Sequence, residues 1–110
     1  MMITWQDFEK LEMHVGTIIN VEDFPKAKKP AYQLTIDFGA LGLRKSSAQL
    51  TALYSKEDLV DKQVIAVLNF PVKKIADFLS ECLVLGAIRE DGAVILLQPD
   101  RNAANGLRIG

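Results

Sequence analysis

The chain has 110 residues, of which 49% are hydrophobic and 25% charged, with a formal net charge of −1; this length supports one domain around one modest core, and the composition excludes a disordered or fibrous chain. No apolar run approaches the ~20 residues of a membrane helix, and Met1 to Asp7 lacks both the basic and the apolar stretch of a secretory leader, so a cytoplasmic location without membrane insertion is expected. A lone cysteine, Cys82, excludes an internal disulfide, and with a lone histidine, His14, it is too little for a zinc cluster, so neither a metal nor a cofactor is expected.

In chain order, Thr4-Trp5-Gln6-Asp7 reads as a helix start, with Thr4 as cap and Asp7 three residues on. Trp5, Phe8 and Leu11 share one face of this two-turn helix, which is too short to persist alone and must pack on the body of the domain or on another subunit. From Glu12 to Phe24 the period changes to two: Met13, Val15, Thr17, Ile19 and Val21 alternate with His14, Gly16, Ile18, Asn20 and Glu22. This predicts a long strand with His14 facing solvent and a bend or bulge at Gly16. Pro25 and Pro30 bracket a lysine-rich loop, after which Tyr32, Leu34, Ile36 and Phe38 alternate with polar residues in a second strand. Gly39-Ala40-Leu41-Gly42 supplies a turn that opens no helix, so it reads as a hairpin connection rather than a phosphate loop. Leu43 to Gln49 then returns antiparallel, exposing Arg44 and Ser46 on one face and Lys45 and Ser47 on the other.

Ser55-Lys56-Glu57-Asp58 resembles a second helix cap and first turn, giving a short helix that ends before Gln63. Strands are expected from Val64 to Phe70 and from Glu81 to Ile88, separated by a linker carrying Pro71, Lys73, Lys74 and Phe78. An Asp91-Gly92 hairpin turn leads to a strand from Val94 to Leu97, and Asn105-Gly106 turns the chain before it closes on Ile109. Three strands, a short helix and two or more further strands are the order of an oligonucleotide/oligosaccharide-binding (OB) barrel. The expected fold is therefore all-β with short helices: a single domain, 1–110, with an N-terminal helix (1–11), a five-stranded OB-fold barrel with a helix between strands three and four (12–88), and a C-terminal hairpin and tail (89–110).

The chain carries no paired general acid and base, metal cluster or nucleophile motif, which argues against an enzyme. Cys82 lies in an apolar run and reads as a buried small hydrophobe. Charge is unevenly spread: residues 24–45 hold Lys26, Lys28, Lys29, Arg44 and Lys45 against Asp37 alone, and residues 62–76 hold Lys62, Lys73 and Lys74 with no acid. Were these two windows to meet in the fold, they would form an anion-attracting face on a weakly acidic body.

Four segments resemble the tRNA-binding domain family: Glu12 to Ile18 (EMHVGTI), Ile36 to Gly39 (IDFG), Ser46 to Gln49 (SSAQ) and Ser80 to Leu85 (SECLVL). That family includes the C-terminal domain of bacterial methionyl-tRNA synthetase and the endothelial monocyte-activating polypeptide module. Gln63 to Pro71 (QVIAVLNFP), Ile75-Ala76 and Leu96 to Asp100 (LLQPD) look like its CsaA branch of export-related chaperones. The resemblance implies an OB barrel, a homodimer built on terminal segments such as Trp5, Phe8 and Leu11, and binding of tRNA or structured RNA. In that reading Lys28, Lys29, Arg44, Lys45, Lys73 and Lys74 contact phosphates, and Ser47, Asn69 and Ser80 hydrogen-bond sugars or bases. The CsaA likeness implies an alternative, binding of unfolded or preprotein peptides through Phe24, Phe70, Pro71, Phe78 and Leu79, with the export ATPase as a further partner.

Overall fold

The first long strand breaks its alternation once, and that break lets one strand serve two partners. The computed structural model, which describes residues 1–110, places β1 over Met13–Asp23. Its residues 17–23 pair antiparallel with β2 (Tyr32–Asp37), and its residues 13–17 pair antiparallel with β4 (Gln63–Val67). A register shift between Ile18 and Asn20 inserts one residue, so that Ile18 and Val21 both face the core while Ile19 is turned out and 44% exposed. The bulge thus lies at Ile19 rather than at Gly16. Gly16 instead makes room for a close approach: a Cβ there would stand 2.6 Å from both Ile36 Cγ2 and Phe38 Cε1, so only a hydrogen fits against β2.

β2 continues through a single 3-10 turn at Gly39–Leu41 into β3 (Leu43–Ala48), and Gly39 and Gly42 both take positive φ, which makes this connection a hairpin as expected. Ser55 caps α2 (Lys56–Leu59) through a reciprocal pair of bonds with Asp58, and the helix buries Leu59 completely beneath the barrel strands. β4 pairs in turn with β7 (Leu83–Val84), which gives the antiparallel order β3-β2-β1-β4-β7 in a nearly closed five-stranded barrel. In the main core cluster Phe38, Ile18, Leu34, Ile36, Leu59 and Val64 are fully buried. No helix is long and apolar enough to cross a membrane.

Two departures from the expected elements matter for the site. The stretch read as a linker is itself a small hairpin, β5 (Lys73–Ile75) against β6 (Phe78–Ser80), and its turn uses Ala76 at φ +53°, a conformation that no glycine or asparagine announces. The strand expected from Glu81 to Ile88 splits into β7 and β8 (Gly86–Ile88), and β8 pairs with β9 (Val94–Leu96) across the Asp91-Gly92 turn. The seam between β3 and the β6–β7 segment is closed largely by side chains. Lys45 N–H donates to Glu81 Oε1 (2.9 Å), Glu81 N–H donates to the Lys45 carbonyl (2.7 Å), and Ser47 N–H donates to Ser80 Oγ (3.1 Å).

The C-terminal tail covers the edge of β1 that β2 does not reach. Gly106 N–H donates to the Val15 carbonyl (2.7 Å), Val15 N–H to the Leu107 carbonyl (2.9 Å) and Ile109 N–H to the Met13 carbonyl (2.8 Å). Gln63 holds the same tail at both ends of its amide, donating to the Ala103 carbonyl (2.7 Å) and accepting from Ala103 N–H (3.0 Å). This explains why His14, expected to face solvent, is only 8% exposed: the tail lies over it, with Nδ1 2.9 Å from the Gly106 carbonyl and Nε2 3.2 Å from Glu12 Oε1. Ser46, expected at the surface, is 1% exposed and donates to the Cys82 carbonyl (3.0 Å) on the inner side of the seam.

Candidate functional site

The expected site residues divide into those the fold presents and those it uses internally. Phe24 and Phe78, expected as exposed peptide contacts, are 4% and 8% exposed and pack on one another with ring centroids 5.3 Å apart. With Ala31 they form a second, smaller apolar cluster, against which Ala27 and Ile75 pack. The reason is topological: the 24–31 loop leaves the far end of β1 and folds onto the β5–β6 hairpin, where each phenylalanine finds the other. The 24–31 loop and the β5–β6 hairpin are thereby brought side by side, and Lys26 Nζ reaches Asp77 Oδ2 at 2.8 Å across the junction.

Lys28, Lys29, Lys45, Lys73 and Lys74 are exposed, Arg44 is half-buried, and none of these six makes an ion pair. Arg44 instead donates through Nη1 to the Leu68 carbonyl (3.2 Å). Ser47 and Ser80 sit opposite each other at the seam, joined by the bond described above. Asn69, expected as an RNA contact, spends its amide on the chain itself, donating to the Lys10 carbonyl (2.7 Å) and accepting from Glu12 N–H (3.0 Å). It fastens the segment after α1 (Trp5–Glu9) to the end of β4.

Beside the seam lies a groove of about 640 Å³ that sequence reasoning did not foresee as a unit. Phe70, Pro71, Ile75, Leu83, Ile88 and Val94 belong to its apolar wall, and Ser47, Ser80 and Lys73 lie along it. Phe70 is 50% exposed, and Leu79 points outward near the same hairpin without lining the groove. The available signal was the outward phase of Leu83 and Ile88 on their strands, which only the division of β7 from β8 reveals.

Cys82 contributes to this wall yet is buried, and loss of hydration pushes its thiol up to about 11, only partly opposed by the Ser46 hydroxyl and the Arg44 charge. A protonated, enclosed thiol is a packing group rather than a nucleophile. α1 buries no residue: Trp5 is exposed and stacks on Phe8 with centroids 5.5 Å apart, and Leu11 is half-buried. Arg108 fixes the helix by donating to the Glu9 (2.9 Å) and Leu11 (3.3 Å) carbonyls.

An OB-like barrel with unpaired cations beside a groove is a geometry of binding, and the family model described as "Putative tRNA binding domain" matches residues 13–108. The chain belongs to the tRNA-binding domain family. Two similar solved structures cover all or nearly all of the chain. Chaperone CsaA from Bacillus anthracis is 47% identical with a TM-score of 0.96, covering 100% of both chains. CsaA chaperone protein from Picrophilus torridus is 53% identical with a TM-score of 0.93, covering 99% of this chain and 100% of the other. Among curated proteins, methionine–tRNA ligase from Thermococcus onnurineus is 37% identical over 97% of this chain, which spans only 14% of that enzyme's length. The tRNA-binding domain is defined by what it binds and is not a catalytic class.

Proposed function

We propose that this tRNA-binding domain holds tRNA or another structured RNA on the face made by β3, the 24–31 loop and the β5–β6 hairpin. The observation that supports this reading is the packing of the 24–31 loop on the β5–β6 hairpin through Phe24, Ala31 and Phe78, which joins the segments that carry Lys28, Lys29, Lys73 and Lys74. Lys28, Lys29, Arg44, Lys45, Lys73 and Lys74 are the phosphate contacts, while Ser47 and Ser80 offer hydroxyls at the seam. Phe70, half-exposed at the rim, is placed to stack on an unpaired base, a contact of roughly 1–3 kcal/mol in folds of this kind. The test is a salt titration of tRNA binding. The plot of log affinity against log salt should lose roughly 0.7–0.9 of its slope for each phosphate contact removed in Lys73→Ala/Lys74→Ala. Absence of binding by the wild-type chain even at low salt would sink the reading.

A second reading, binding of unfolded or preprotein peptides as a chaperone acting in export, is favoured by the groove itself. Its apolar wall of Phe70, Pro71, Leu83 and Ile88 suits an aliphatic or aromatic side chain better than a phosphate. Binding of an extended peptide that is insensitive to salt and lost in Phe70→Ala identifies this mode, and the export ATPase is then a partner to test by co-purification. In either mode the chain acts as a homodimer through Trp5, Phe8 and Leu11, since α1 has an apolar face that its own barrel does not bury. Sedimentation of Trp5→Ser as a monomer, against a dimeric wild type, checks this assembly.

A further inference from the structure

Among the cations of the 24–31 loop and the β5–β6 hairpin, Lys26 alone is paired, and its partner is Asp77 at the hairpin tip. Both side chains are open to water, 68% and 67% exposed. Nor is the pair needed to hold the loop on the hairpin, because Phe24, Ala31 and Phe78 already join the two beneath it. An ion pair in water between flexible, exposed groups has little hold on either partner. The carboxylate is nonetheless aimed with care, since Ala76 adopts φ +53° immediately before it, a backbone state that alanine rarely takes. Asp77 also feels Lys74, and these two lysines together keep its carboxyl below the usual carboxylate range, with the Lys26 hydrogen bond the larger cause.

We propose that Asp77 is a displaceable resident counter-ion, which occupies Lys26 in the free protein and yields it to a phosphate of the bound nucleic acid. This deepens the RNA reading above and rests on it. A lone phosphate has no advantage over a carboxylate already in place. A polyanion does: its neighbouring phosphates engage unpaired Lys28, Lys29, Lys73 and Lys74, and the local phosphate density then displaces Asp77 from Lys26. The freed carboxylate must take up a cation from solution as it leaves, which offsets the cation that the nucleic acid releases at Lys26. The wild-type protein therefore binds with a shallower salt dependence than its count of lysines implies.

The experiment is a salt series with unfractionated tRNA on wild type, Asp77→Asn, Lys26→Ala and the double variant, all as full chains. Thermal midpoints are taken alongside, because exposed positions should leave them unchanged. Asp77→Asn is expected to bind more tightly and to steepen the slope of log affinity against log salt by about 0.9, one phosphate contact. Adding Lys26→Ala should abolish that gain. A gain that persists without Lys26 would reduce Asp77 to a general negative charge and overturn the proposal, as would an Asp77→Asn slope equal to wild type. Lys73→Ala/Lys74→Ala in the same series separates the two readings. Weakened binding there with no effect of Asp77→Asn sinks the counter-ion alone, whereas no effect of either sinks the RNA face with it.

Discussion

At Gly16 the barrel has room for one hydrogen. A methyl group would meet Ile36 and Phe38, both fully buried and unable to retreat without disturbing the core. Gly16→Ala should therefore cost about 1–3 kcal/mol, the range for overpacking, and lower the urea midpoint without changing the m-value. Cys82 gives a residue-scale prediction with a defined sign. Its thiol ionises near 9.0 when unfolded but is pushed by burial to about 11 in the fold, so its share of stability is complete below pH 9 and is lost as pH rises from 9 to 11. The slope attributable to it is at most about 1.4 kcal/mol per pH unit. Comparing urea midpoints of wild type and Cys82→Ala at pH 8 and pH 10.5 isolates it, because other groups titrate in both proteins. At pH 7 iodoacetamide should label Cys82 in urea and leave it untouched in the native chain.

Two elements share one capping device and should respond differently to its loss. Thr4 and Ser55 each accept from the backbone three residues on, and Asp7 and Asp58 each return the bond to the cap. Those backbone bonds are the main cause that keeps both carboxyls below the usual range. α2 buries Leu59 whereas α1 buries nothing, so Ser55→Ala should lower global stability by about 1 kcal/mol. Thr4→Ala should fray α1, visible as faster amide exchange at Asp7 and Phe8, with little change in the melting point. Both caps were legible in the sequence because four consecutive residues contain the whole device; the same is true of the Asp91-Gly92 turn. The β5–β6 hairpin was not, since Ile75-Ala76-Asp77-Phe78 contains no turn-forming glycine or asparagine and the positive φ falls on Ala76. The bulge escaped for a related reason: the alternation from Met13 to Glu22 is interrupted only by Ile18, an apolar residue in the polar series, and only pairing with β2 shows that one residue is inserted beside it. Of the candidate site, the charges were readable from the chain, but which aromatics would be exposed depended on a contact between residues far apart in sequence.

On the scale of the whole molecule the tail is the element that finishes the barrel. A chain truncated after Asp100 would lose the bonds from Ala103, Asn105, Gly106 and Ile109, uncover the edge of β1 at Met13–Val15 and expose His14. Such a variant should unfold at lower temperature and aggregate, because an uncovered strand edge is a template for pairing with another chain; light scattering during a thermal ramp checks it. The tail meets α1 through Arg108, so both ends of the polypeptide gather near Met13, while the 24–31 loop leaves from Asp23 at the opposite end of β1, roughly 30 Å along the strand at ~3.3 Å per residue. The domain is therefore polarised in part: Lys28 and Lys29 lie on the loop that leaves the far end of β1, while Arg44 and Phe70 reach back toward the termini through Leu68 and Asn69. Cargo fused to either terminus should leave tRNA affinity unaltered, whereas the same cargo inserted between Lys28 and Lys29 should abolish it, and this layout suits a module that can be tethered to a larger machine.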